Sequence, residues 1–316
     1  MIIILYSSVL EHHFSDSSGW EAFMNNIQIA LLGGMMGMFG YGICDFLAKR
    51  TIDRIGALQT LLYAQIIGAG FVSFYLVKEP SLPVFSTFRI VCVLLFGFFS
   101  AIGYLALFKA LELGKLSIVS PIVSSFAMIS AVVSFLFFGE AFSQLKTLAL
   151  SLVLSGIALT SFDIRDLRGR SPAAGLSKGV PQAIVSAVVF GLFFPFWDRF
   201  VEGEGWAVWI MLDRVIVAAF LIVYSSSSGK ELTLPREGGI VFWLILIALL
   251  DAIGFFGNTW ALSASVDTTS IVAAVSSAYP LVAGSLAFGL LKERLAMNQY
   301  VGIGVIISGL VLIPFL

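Results

Sequence analysis

Three ionisable side chains lie where long apolar runs should have none. Asp213 and Arg214 stand near the middle of residues 206–224, and Asp251 near the middle of 240–262. If those runs cross a bilayer, each charge costs about 2.5–3.5 kcal/mol at the helix centre and needs a reason to be there. Asp251 and Arg214 fall at similar depth on adjacent segments, so one reading is a structural ion pair that cancels both charges. Asp213 then remains as a second carboxylate in need of a partner, a proton or a cation. The other reading is that one of the two aspartates binds substrate or cycles a proton.

Helical spacing gathers other groups around these charges. Asp251, Gly254, Phe255, Asn258 and Leu262 share one face at steps of three and four, and Ser100, Gly103, Tyr104, Leu107 and Leu111 share another. Each stripe combines a polar group, a glycine opening and an aromatic wall, which suits a cavity lining. Serine stripes at Ser117, Ser120 and Ser124, and at Ser270 and Ser277, suit the same cavity or bond back to their own helices. Tyr279, Trp260, Trp197 and Tyr41 are further candidates, for the cavity or for interfacial belts. Pro121, Pro280 and Pro195 each remove an amide donor and free a carbonyl one turn earlier. They are expected either to break helices at a transport site or to bend them around a bundle.

Other chemistries find little support. Adjacent His12 and His13 have no Cys or carboxylate cluster beside them, so no metal site is expected. Cys44 and Cys92 read as small core residues. There is no G-x-x-x-x-G-K-[ST] run to cradle phosphates, and no His beyond residue 13. No catalytic residue and no cofactor is expected.

The elements that must position these residues follow from composition. Of 316 residues, 59% are hydrophobic and only 12% charged, with a mean hydropathy of +1.01. Soluble domains carry roughly 25% charge, so the chain is expected to be a multi-pass integral protein of the cell membrane. A net charge of −1 gives no basic face for nucleic acid. A helix crossing the hydrocarbon core needs about 20 mainly apolar residues. Ten such spans are expected, at about 27–48, 56–77, 88–111, 116–138, 145–162, 179–198, 206–224, 240–262, 269–291 and 298–315. Continuous runs such as Ile240 to Leu250 lack the alternation of transmembrane strands, so the class is all-α. Residues 1–26 read as an N-terminal extension without signal-peptide features, and Met24 is a second candidate start.

The chain also repeats itself at a shift near 153 residues. Ser117-Ile118-Val119 matches Ser270-Ile271-Val272, Ser124 matches Ser277, Glu140 matches Glu293 and Ser155-Gly156 matches Ser308-Gly309. Asp45 lands on Asp198. Five spans per half is an odd number, so the second half enters the membrane in the opposite sense, as in inverted-repeat secondary transporters. The expected division is 27–163 and 179–316, with 164–178 connecting them. Small residues four apart are expected at helix contacts: Gly33/Gly37, Ser120/Ser124, Ser151/Ser155, Ala273/Ser277 and Gly304/Ser308.

Pro280-Leu281-Val282 through Leu291, Lys292-Glu293-Arg294, Gln299, Gly302 and Ser308-Gly309-Leu310 resemble the closing signature of an EamA repeat. Gly139-Glu140 and Ser155-Gly156 make a weaker first copy, with Ala127, Lys146 and Ala149 where the second has Pro280, Gln299 and Gly302. The resemblance spans the chain from about residue 24. It implies a ten-helix permease of the drug/metabolite transporter superfamily, with both termini cytoplasmic. Lys and Arg instead crowd the loops after odd-numbered spans (Lys49, Arg50, Arg54, Lys115, Lys292 and Arg294 among them), which by the positive-inside rule puts both termini outside.

The expected function is therefore a secondary permease. It would move a small metabolite or drug-like solute by alternating access, driven by a proton gradient or a counter-solute. Its partners are that solute and the lipid bilayer. An intramembrane lipid-modifying enzyme and a receptor or scaffold are the other classes, and neither is suggested by the repeat or by the spacing of Asp213 and Asp251.

Overall fold

The computed structural model describes residues 17–78, 82–138, 144–160, 177–201, 205–229, 232, 237–264, 272 and 275–312. His12, His13, Glu140, Ser270, Ala273 and most of the 164–178 connection lie outside them, as does the side chain of Leu262. The described chain is helical: α1 Ser17–Ile55, α2 Ala57–Lys78, α3 Thr87–Leu113, α4 Leu116–Ser124, α5 Phe126–Phe138 and α6 Gln144–Thr160. There follow α7 Val180–Val201, α8 Trp206–Ser227, α9 Gly238–Ala264, α10 Tyr279–Leu286 with a π-helical extension Ala287–Leu291, and α11 Met297–Leu312.

Seven stretches are long and apolar enough to cross a membrane: Gln28–Ile55, Ala57–Lys78, Thr87–Leu113, Leu116–Phe138, Val180–Val201, Trp206–Ser227 and Gly238–Ala261. Shorter apolar helices, Ser151–Thr160 and Val275–Leu291, fall where the fifth and ninth spans are expected. Large apolar side chains such as Phe74, Phe88, Leu94, Val223 and Phe242 are exposed on the outer faces. In water such a surface would aggregate; in lipid it is solvated. The protein is a multi-pass, all-α membrane protein.

Helix ends are fixed by local chemistry. Ser86 caps α3 by accepting from the Arg89 amide at 3.2 Å. Gly56, at φ +81°, turns the chain from α1 into α2, and Glu112 Oε1 accepts from the Ala57 amide at 3.0 Å. The fourth span is broken at Ser125, where the Ser124 and Ser125 hydroxyls donate to the Pro121 and Ile122 carbonyls at 2.9 and 2.5 Å. Pro121 thus lies inside a short helix that ends one turn later. The other two prolines behave differently from the expectation. Pro280 sits in the first turn of α10, where its missing amide costs nothing, and Pro195 lies inside an unbroken α7.

The helices interlace. α1 packs along α9 and α10, and α7 packs along α3, α4 and α5. α2 pairs with α8, and α6 with α11. Between α1 and α9 the approach is close: a β-carbon on Gly40 would stand 2.7 Å from the Leu250 carbonyl, and one on Gly37 would stand 2.7 Å from Ser276 Cβ. The expected contacts at Ser151/Ser155 and Gly304/Ser308 do not form. Those serines are exposed and donate to carbonyls of their own helices, and nothing lies within 4 Å of where a Gly304 β-carbon would be. Gly156 and Gly302 make the α6–α11 approach instead, each facing the other's carbonyl.

Candidate functional site

The midplane charges meet. Arg214 Nη2 of α8 donates to Asp251 Oδ2 of α9 at 2.6 Å, and Nη1 donates to Gln65 Oε1 of α2 at 3.3 Å. Arg214 is 3% exposed, and the Asp251 side chain 14%. Glycine makes the room: a β-carbon on Gly68 would stand 2.6 Å from Arg214 Nη1. Arg214 Nε has no partner among the described residues. Asp213, on the neighbouring face of α8, is buried and hydrogen-bonded to Ser100 of α3, while its Oδ1 is unpartnered among the described residues. The site therefore holds one cation and two carboxylates, only one of which closes on the guanidinium.

Aromatic and amide groups surround this cluster. Tyr41 of α1 lies over Gly254, and its hydroxyl faces the Asn258 side chain. Neither that hydroxyl nor Asn258 Oδ1 completes a well-formed hydrogen bond among the described residues. Tyr104 interacts electrostatically with Arg214 and Asp251, and its ring meets Phe190 edge-on at 5.1 Å. Unsatisfied polar groups buried this deeply are unusual, and gathered in one place they suit a ligand or water.

The remaining candidates separate. Tyr279 donates to the Ser120 carbonyl at 3.1 Å and packs edge-on against Tyr41 at 6.3 Å, so it reaches the region from α10. Ser124 is spent on its own helix, and Ser277 is buried and engaged. Trp197 stacks with Phe193 at 5.3 Å inside an aromatic cluster with Phe96, Phe200 and Phe255. Trp260 is 40% exposed on the outer surface and does not join the cluster, because it falls on the lipid side of α9 rather than on the Asp251 stripe. An apolar groove of about 330 Å³ lies elsewhere, between Met35, Met36, Phe39 and Ile253 on α1 and α9.

Two residues escape the sequence reading. Gln65 is uncharged, so nothing in its run singles it out, yet it completes the shell of Arg214. Asp45 seemed to sit near the end of the first span, but α1 continues to Ile55, which leaves it inside and 7% exposed. Its carboxylate accepts from Ser120 Oγ at 3.2 Å. Among the described residues, no group of three or more His, Cys, Asp or Glu assembles that could hold a metal ion.

The comparisons with known proteins agree with this architecture. No curated protein matches the chain. Twenty-seven chains of solved structures do. One of them, the crystal structure of a protein, superposes with a TM-score of 0.62 at 16% identity, covering 90% of this chain and 95% of that one. At that identity the likeness concerns the fold. The profile of the EamA-like transporter family matches twice, over residues 28–162 and 177–315, so nearly the whole chain is two copies of that domain. The chain belongs to the EamA-like transporter family.

Proposed function

We propose that this transporter is a secondary permease that moves a small polar or amphipathic solute by alternating access. Its binding site would centre on Asp213, Arg214 and Asp251. The observation that carries the reading is the buried Arg214–Asp251 pair, closed at 2.6 Å where helices of both family domains meet. Gln65 and Ser100 come from the first domain, and the three charged residues from the second. A pair that merely cancelled charge would be better replaced by apolar residues. This one has an unsatisfied guanidinium nitrogen, a second carboxylate and a half-empty polar shell beside it.

The packing supports two inverted five-helix repeats, 27–163 and 179–316. Exchanging each span of one half for its counterpart turns the α1–α9 contact into α7–α3. The same exchange turns α1–α10 into the contact of α7 with α4 and α5, and α2–α8 and α6–α11 map onto themselves. Two halves related in this way can rock about a site between them. A solute carboxylate or phosphate would compete with Asp251 for Arg214, and a solute ammonium would take the open Oδ1 of Asp213. Such exchange lets binding loosen the contact between α8 and α9 without exposing a naked charge. Asn258, Tyr104, Tyr41 and Tyr279 would line the path, and a proton or counter-solute would supply the energy. No lipid-modifying chemistry is favoured, since the partner of Asp251 is a guanidinium and not a second acid.

Counterflow in proteoliposomes tests the reading, with a panel of amino acids, sugars, nucleotides and cationic dyes. At least one solute should exchange, and Arg214→Gln should abolish that exchange. Failure of every solute under every imposed gradient would contradict it.

A further inference from the structure

Asp45 is a buried carboxylate that the site above does not use. Its one hydrogen-bond partner among the described residues is a neutral hydroxyl, Ser120 Oγ of α4. The charged and titratable groups around it offer no cation. On its own helix, Lys49 is one turn away but donates to the Leu111 carbonyl at 2.8 Å and pairs with Asp53 at 3.2 Å. Cys44 adjoins it, and Asp251 of α9 adds a second negative charge to its surroundings. From α10, Tyr279 has spent its hydroxyl proton on the Ser120 carbonyl. From α2, Gln65 is held by Arg214; from α3, the Lys109–Glu112 pair is closed on itself.

An ionised carboxylate in such a place costs several kcal/mol, and one hydroxyl returns only part of that. Either a proton or a bound metal cation can remove the charge. A metal cation needs a shell of several oxygens, and here the Ser120 carbonyl is taken and one hydroxyl remains. We propose that Asp45 is a proton-binding site, and that the proton it carries is the one whose movement is coupled to solute. That second clause rests on the alternating-access reading. The proton comes from water on one face and leaves as a proton to water on the other, with no covalent change beyond the carboxyl O–H.

The position suits coupling. Asp45, Ser120 and Tyr279 form a chain from α1 through α4 to α10, and so join the two halves of the molecule. Asp45 and Asp251 repel each other when both are charged, so the state of the Arg214 pair is felt at Asp45 and the reverse.

Infrared difference spectra of the full chain in liposomes, taken between acidic and alkaline buffer, test the site without any solute. A protonated-carboxyl band should appear on acidification, vanish in Asp45→Asn, and return at a shifted frequency in Asp45→Glu. If Asp45→Asn does not fold, the shift in Asp45→Glu carries the test. An identical band in wild type and variant overturns the proposal, as does a band abolished by sodium or potassium at constant pH. The ratio of pH-driven accumulation to equal-pH counterflow should fall by about tenfold or more in Asp45→Asn; an unchanged ratio overturns the coupling role. A wild type without any counterflow would count against the transport reading and leave the infrared result as it stands.

Discussion

Gly68→Ala tests whether the Arg214 contacts matter by moving one atom group into them. The new β-carbon would stand 2.6 Å from Arg214 Nη1 and 3.1 Å from Cζ. Ordinary contact needs about 3.5 Å, so the guanidinium must retreat by close to an ångström. Because that group is the end of a flexible side chain, the collision itself is cheap. The cost lies in what the guanidinium leaves behind. The Gln65 bond, already 3.3 Å, is lost first, and the 2.6 Å contact with Asp251 stretches. Hydrogen bonds to charged groups are worth about 1.5–3 kcal/mol each, and a full break of the pair would cost about 3–5 kcal/mol. We expect a loss of about 1.5–3 kcal/mol and a fall in counterflow of about tenfold or more. Gly70→Ala, on the same helix with nothing within 4 Å, is the control and should be neutral or slightly stabilising. Thermal unfolding in detergent and counterflow in liposomes read the two quantities. Equal behaviour of the two variants would refute the account of Arg214.

Further outcomes follow from the same geometry. Asp251→Asn should destabilise the protein by about 3–5 kcal/mol by leaving Arg214 buried and unpaired, and adding Arg214→Gln should restore most of the melting temperature but not transport. Glu293 accepts from the Leu116 and Ser117 amides at 3.0 and 3.1 Å and from the Ser117 hydroxyl, so it ties the loop before α11 to the start of α4. Glu293→Ala should cost about 2 kcal/mol in thermal unfolding, and faster proteolysis of this loop would accompany it. Trp260→Ala should leave counterflow and melting near the wild-type values, in contrast to a residue that lines the site.

What the sequence discloses here is set by how far each signal reaches. Apolar runs are local and long, so the spans and their order were legible, and so was the doubled domain. Arg214 and Asp251 were legible as partners because charge at the same depth in lipid has few alternatives. The rest of the site depends on contacts between remote segments. Gln65 is 149 positions from Arg214 and carries no charge to draw attention. Asp45 was obscured because α1 outruns its apolar core and continues through Lys49–Arg54 to Ile55. Helical spacing gave the face of α9 that carries Asp251, but only packing shows that Trp260 turns to lipid. Proline likewise reports a missing donor, not a break: α7 runs on through Pro195 while α10 begins at Pro280's turn.

Access to the site from both faces is the most direct measurement of the central claim. With Cys44 and Cys92 replaced by Ala, Asn258→Cys puts a single thiol beside Tyr41 and one turn or so from Asp251. A membrane-impermeant thiol reagent should reach it from outside in right-side-out vesicles and from inside in inverted ones, and a transported solute should slow both reactions. A thiol reached from one face only, or from neither, would contradict alternating access at this site.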